Sequence, residues 1–171
     1  MTDTYPETAV DDTSQVLADP GALRDLADRA ALRDLVDAYA RHVDRGDAEA
    51  VASLFTDDGR LVSRLHNAAA GAPIVRQGRT DIATALVAGL DRYIATTHIV
   101  GGQVLDIDGD GATGETVCLA HHVYESAGKR RMLVMAVRYA DTYARQPEGW
   151  GFAERQLRLD WREDRAWEEQ S

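Results

Sequence analysis

The sequence predicts an α+β fold, three short helices followed by a curved, mainly antiparallel sheet that wraps onto them around one internal pocket. Three observations carry that prediction. Apolar residues recur with a helical period only in the first half of the chain; the second half alternates with a period of two; and turn sequences rich in Gly, Asp and Pro cut that second half into hairpin-linked strands.

Residues 22–43 form the first helix. Leu32, Leu35, Val36, Tyr39 and Val43 fall on one stripe, while Arg33, Asp34, Asp37 and Arg41 fall elsewhere. Gly46 is placed to end it in a left-handed conformation. Asp47 then caps a second helix over residues 48–55. Residues 56–59 read as a turn and 60–63 as the start of a strand. Thr80 is the expected cap of a third helix over residues 81–93. Strands are expected over residues 97–107, 112–125, 131–143 and 150–161, with turns at 108–111 and 146–149. A sheet of this kind needs its apolar face covered by the helices, and a curved one leaves a cavity at its open end.

The 171 residues suit one domain, assigned here to residues 21–162, between a flexible acidic leader (1–20) and a charged tail (163–171). A net charge of -10 without any clustered Lys/Arg face excludes nucleic acid as a partner. The N-terminus has neither the basic start nor the apolar segment of a secretory signal, and no apolar run is long enough to cross a bilayer. A cytoplasmic protein with no membrane partner is expected. Cys118 is the only cysteine, so no intrachain disulfide can form.

Two residues stand out chemically. His98 lies where a helix gives way to a strand, and Asp44 lies at the end of the first helix, where the dipole disfavours a carboxylate. Each has a structural reading: a satisfied core histidine, and a solvated aspartate in a helix-ending turn. A histidine across the cavity is the other way to stabilise Asp44. Asp106 to Gly111 imitates half of a calcium loop, but its twelfth position would be Val117 and its flanks are strands, so it is read as a hairpin turn. The histidine spacing forms no metal set. His42 is assigned to the solvated side of the first helix and His66 to a loop bordering the pocket mouth.

Several short motifs, in order, resemble the SnoaL-like families of the nuclear-transport-factor-2-like superfamily. They are Ala30 to Leu35, Tyr39 to Asp47, Leu54 to Gly59, Thr97 to Gly102, Ala112 to Gly114 and Gly149 to Phe152, together spanning most of residues 22–161. The resemblance implies a cone-shaped, cystatin-like fold. Within it the chain looks most like the branch of scytalone dehydratase, bile-acid dehydratase and hexachlorocyclohexane dehydrochlorinase, where an Asp ending the first helix pairs with a His opening a later strand. Asp44 and His98 match those positions, and Tyr39 matches the pocket tyrosine of the dehydratases. The implied chemistry has His98 as base, Asp44 as its orienting carboxylate and Tyr39 as donor to an oxygen, with no metal and no organic cofactor required.

Adjacent strand residues point to opposite faces, so only one of His121 and His122 can look inward. Aligning the 112–114 hairpin with the dehydratases implies that Thr116, Cys118, Ala120 and His122 share the inward face, making His122 a second acid–base candidate and His121 the alternative if the register slips by one. Met135, Val137, Tyr139, Arg155 and Leu157 are further inward positions; Arg155 could present its guanidinium to a substrate oxygen or form a salt bridge. Expected substrate contacts are thus Cys118, Ala120, Met135, Val137, Tyr139 and Arg155, around a small hydrophobic or polyketide-like molecule.

Two function classes follow: a dehydratase, isomerase or cyclase using Asp44 and His98, or a binding or regulatory module of the same fold. A limonene-epoxide-hydrolase-like Asp–Arg–Asp set has no evident second and third partners beside Arg155, and a His at position 98 is not the ketosteroid isomerase pattern. Val117, Leu119, Val123 and Val134, pointing outward, would leave an apolar patch on a monomer, so a homodimer or homotrimer is expected.

Overall fold

The computed structural model describes residues 19–64 and 72–167. Asp19, expected to close the leader, instead starts the first helix: its carboxylate accepts from the Gly21 N–H at 2.9 Å, and Pro20 occupies the first turn, where its missing N–H costs nothing. Helix α1 runs Pro20–Asp44 and buries the predicted stripe of Leu32, Leu35, Val36, Tyr39 and Val43. It ends in a Schellman arrangement. Gly46, at φ 68°, donates to the Val43 carbonyl, and Asp47 donates to that of His42, both at 3.0 Å. Asp47 then caps α2 (Ala48–Ser53) by accepting from the Ala50 N–H.

Strand β1 spans Phe55–Arg64, β2 Ile74–Gln77, β3 Ala95–Asp108, β4 Gly111–Ser126, β5 Lys129–Gln146 and β6 Gly149–Ala166; helix α3, Arg79–Leu90, lies between β2 and β3. The six strands form one sheet in the order β2-β1-β6-β5-β4-β3, antiparallel except for the β1–β6 pair. The fold is α+β, as the sequence predicts.

Several boundaries differ from expectation, and β2 was not expected; three of the differences have a plain physical cause. Residues 56–59 do not break the chain before the strand: they form an irregular stretch inside β1, where pairing with β6 jumps from Phe55↔Phe152 to Arg60↔Glu154. Helix α3 begins at Arg79 behind Gly78, and Thr80 makes no cap; the Asp81 carboxylate instead accepts from the Gln77 N–H at 3.1 Å. The last strand continues to Ala166, so residues 163–166 of the expected tail are paired with β5, although exposed. Of the expected leader, residues 1–18 lie outside the described residues, as does His66.

The core is the space between α1 and the inner face of β1, β6, β5 and β4. Phe55, Phe152, Tyr39, Tyr139 and Tyr143 pack there edge-on and tilted at centroid distances of 5.2–6.4 Å. Arg155 sits among them with no exposure at all, donating twice to Asp141 (2.9 and 2.7 Å) and stacking its guanidinium on the rings of Tyr39, Tyr139 and Phe152 at 4.1–4.3 Å. A second staple ties α1 to the β5–β6 hairpin: Asp28 accepts two bonds from Arg145 and one from the Trp150 indole. Among the described residues no helix is long and apolar enough to cross a membrane.

Candidate active site

Edge strand β3 is held to α1 by side chains reaching backbone groups. Arg33 donates to the carbonyls of Gly101 (2.6 Å) and Val100 (3.4 Å), and Arg29 to that of Leu105 (3.3 Å). At the far end of the same seam the polarity reverses, and Asp44 accepts from the strand. Its Oδ2 takes the His98 backbone N–H at 2.9 Å; its Oδ1 takes the Thr96 hydroxyl at 2.8 Å and meets His98 Nδ1 at 2.6 Å. Thr96 is a member of this site that the sequence reading did not single out. Its signal is the spacing: with period two, Thr96 and His98 share a strand face.

The set of donors fixes the imidazole's state. Burial raises the Asp44 carboxyl, but the bonds from His98 and Thr96 and the nearby imidazole outweigh it and hold it below the usual range. An ionised carboxylate only accepts, so His98 Nδ1 carries its hydrogen, and in neutral imidazole Nε2 is left with the lone pair. Ring geometry turns Nε2 away from Asp44.

Two spaces meet at His98. On one side is an open groove of about 410 Å³ against α1, floored by Asp44 and rimmed by Arg33, Arg41 and Arg45. On the other is a cavity of about 140 Å³ between α3 and the sheet, lined by Tyr39, Tyr139, His122 and aliphatic side chains from α1, α3, β5 and β6. The His98 side chain is only 7% exposed, whereas that of Asp44 is 26% exposed. The imidazole is therefore a partition whose carboxylate partner remains in contact with water.

Inside the cavity His122 approaches His98 edge-to-face at 5.5 Å and Tyr93 at 4.4 Å, and Arg92 lies over the Tyr93 ring at 4.7 Å. Burial, then the charges of His98 and Arg92, push His122 down to about 4, so it is neutral at physiological pH. His122 Nδ1 is enclosed without a hydrogen-bond partner. Burial likewise raises Tyr39 to about 12, keeping its hydroxyl protonated and a donor.

Of the residues proposed from sequence, Tyr39, His98, Ala120, His122, Met135, Val137 and Tyr139 line this cavity, and Asp44 reaches it through His98. The register places His122 inside; His121 does not line the cavity. Cys118 and Arg155 do not line it either. Cys118 is fully enclosed, its thiol bonded to Tyr139 and raised by burial, and Arg155 is spent on Asp141 and three ring faces. His42, expected in solvent, is half-buried with Nδ1 enclosed. The sequence reading missed the α3 wall, Ala85, Leu86, Gly89 and Leu90, together with Tyr93 beyond it; the helical repeat of these positions was the available signal. Among the described residues no cluster of three or more His, Cys, Asp or Glu is arranged to hold a metal ion.

No curated protein matches the chain. Several solved structures share its fold. A candidate scytalone dehydratase from Novosphingobium aromaticivorans DSM 12444 is 23% identical with a TM-score of 0.69, over 81% of this chain and 88% of that one. A type 2 hexachlorocyclohexane dehydrochlorinase is 20% identical with a TM-score of 0.71, over 83% and 91%. An NTF2-like protein with a cystatin-like fold from Novosphingobium aromaticivorans is 27% identical with a TM-score of 0.63, over 88% and 92%. The SnoaL-like domain family matches residues 24–156, and the chain belongs to that family.

Proposed function

We propose that this protein is a cofactor-independent acid–base enzyme, a dehydratase or isomerase acting on a small cyclic, largely apolar substrate that carries an oxygen function. The observation that carries the reading is the 2.6 Å contact between His98 Nδ1 and Asp44, which leaves a basic Nε2 on the side of the ring away from the carboxylate, next to the cavity.

In a β-hydroxy ketone the step runs as follows. Nε2 removes the proton from the carbon beside the carbonyl, and Asp44 stabilises the imidazolium that forms. The electron pair makes the C=C bond as the β C–O bond breaks, and the imidazolium returns its proton to the departing hydroxide, giving water and restoring the enzyme. Tyr39, protonated in its buried position, is the donor for the carbonyl oxygen on which charge develops. His122, neutral and lining the cavity, is the second group that could meet a substrate hydroxyl. Relatives named as dehydratase and dehydrochlorinase support elimination as the reaction class. The test is dehydration of 3-hydroxycyclohexanone to cyclohex-2-enone, followed by enone absorbance: turnover that disappears in His98→Ala supports the reading, and equal turnover in both proteins rejects it.

The same reading includes a homo-oligomer. On the outer sheet face Ile99, Leu119, Ala136 and Trp161 are cross-strand neighbours in one row, with Ile99 55% and Trp161 52% exposed, and Val117 beside them. Val134, expected in that patch, is instead buried, because central strand β5 sets it between His121 and Glu163. Light scattering on the purified chain tests this, with a monomer as the contrary result.

A further inference from the structure

Helix α3 turns one face to the cavity. At about 100° per residue, Ile82, Ala85, Leu86, Gly89 and Leu90 share that face, and Gly89 lies within about 20° of the fully buried Ile82, near its centre. A large aliphatic residue is what such a position ordinarily holds. Backbone conformation does not explain the glycine: its φ lies outside the left-handed region, and it is not the capping residue, since the helix is capped at Asp91. Crowding does not explain it either, because a Cβ built on Gly89 would meet no atom within 4 Å. Glycine is also the poorest helix former apart from proline. What remains is the space itself, which a side chain would fill.

We infer that Gly89 sets the size of the ligand this cavity admits, and that the ligand is a single six-membered ring bearing one hydroxyl or carbonyl oxygen. The inference rests on the cavity being the ligand site of the proposed enzyme. Its volume of about 140 Å³ is close to the ~150 Å³ apolar void that accepts a benzene-sized molecule. Leu86, Leu90, Val137 and Leu157 supply apolar walls for ring faces, while His98, His122 and Tyr39 gather the polar groups at which one oxygen can be held. Four added carbons at Gly89 would extend from the cavity wall into open space.

Calorimetric titration with phenol, a one-ring probe that is uncharged at neutral pH, tests this on the intact protein. Wild type binds millimolar phenol. Gly89→Leu weakens binding by about tenfold to a hundredfold, the scale of overfilling a packed site. Gly89→Ala, which helix propensity favours, keeps or raises Tm while weakening phenol about two- to fivefold. The larger 2-naphthol gains nothing over phenol despite its greater apolar surface. Phenol binding equal to wild type in the folded Gly89→Leu and Gly89→Ala proteins overturns the role of Gly89. Absence of phenol binding to wild type, or much tighter binding of 2-naphthol, overturns the one-ring limit. Phenol is not turned over, so its binding is read independently of the dehydration assay.

Discussion

Two carboxylates in this molecule each meet a nitrogen base at hydrogen-bond distance, and they are built differently. Asp141 and Arg155 are both fully enclosed, and the guanidinium stacks on three aromatic rings while its Nη1 has no hydrogen-bond partner. Asp44 and His98 are enclosed on one side only: Asp44 looks onto a groove, and the imidazole's second nitrogen faces away from its partner, beside a cavity. The first pair has no direction in which a proton could come or go, and its ions hold each other in place of water. The second has an inlet and an outlet. A cation that cannot titrate suits the closed pair, and an imidazole suits the open one. Contact distance does not separate the two pairs; access does.

Breaking the open pair should give the largest effect, on rate. Asp44→Asn presents an amide N–H₂ where an acceptor stood, which favours the imidazole tautomer with Nε2 protonated. Steady-state dehydration should fall by about 10²- to 10⁴-fold.

Breaking the closed pair should do the reverse. Asp141→Ala leaves the Arg155 charge buried without its partner, and stability should fall by about 3–5 kcal/mol in a urea titration, the loss appearing as unfolding rather than as a change in rate per folded molecule. Replacing both residues with apolar side chains of similar volume should recover most of that loss.

The pH dependence sharpens the contrast further. His122 is held at about 4 in the fold against 6.5 in an unfolded chain, so the unfolded state binds the extra proton between those values. Stability should therefore be complete above pH 6.5 and fall by about 2–3 kcal/mol as the pH drops to 4, with no further contribution below. Asp44 acts in a different window: its lowered carboxyl adds stability above the usual aspartate range, lost only as the pH falls below about 3.8. Urea midpoints of wild type and His122→Leu, compared from pH 7 to pH 4, separate the two, since only wild type should show the upper slope.

The smallest effect belongs to the staple at the other end of α1. Asp28→Asn keeps the shape but discards the charge opposite Arg145, and should cost about 1–2 kcal/mol in thermal melts without affecting rate.

The Asp44–His98 contact was legible only through the resemblance: each residue alone has a structural reading, at a helix end and at a strand start, and it was their match to the paired positions of the dehydratase branch that joined them. Alternation left His121 and His122 as alternatives on β4; the resemblance to the dehydratases favoured His122, and His122 is the one that lines the cavity. The status of Arg155 was not legible. Alternation puts it inward, but whether an inward guanidinium meets ligand or core depends on Asp141, fourteen positions earlier in the chain and opposite it across the β5–β6 register. The third helix was placed two residues late because its N-terminal partner is a side chain reaching backward, from Asp81 to Gln77, rather than a capping hydroxyl. Gly89 falls inside the helix expected over residues 81–93, and nothing local in the sequence says that its missing side chain borders a cavity.

The central claim is that Nε2 of His98 takes a proton from carbon. Deuterium exchange at the α-carbons of cyclohexanone in D₂O, followed by proton NMR, measures that step without requiring any leaving group. The account predicts exchange accelerated by the wild-type protein and reduced by at least about a hundredfold in a folded His98→Ala protein. Equal exchange in the two proteins, with His98→Ala melting like wild type, would contradict it.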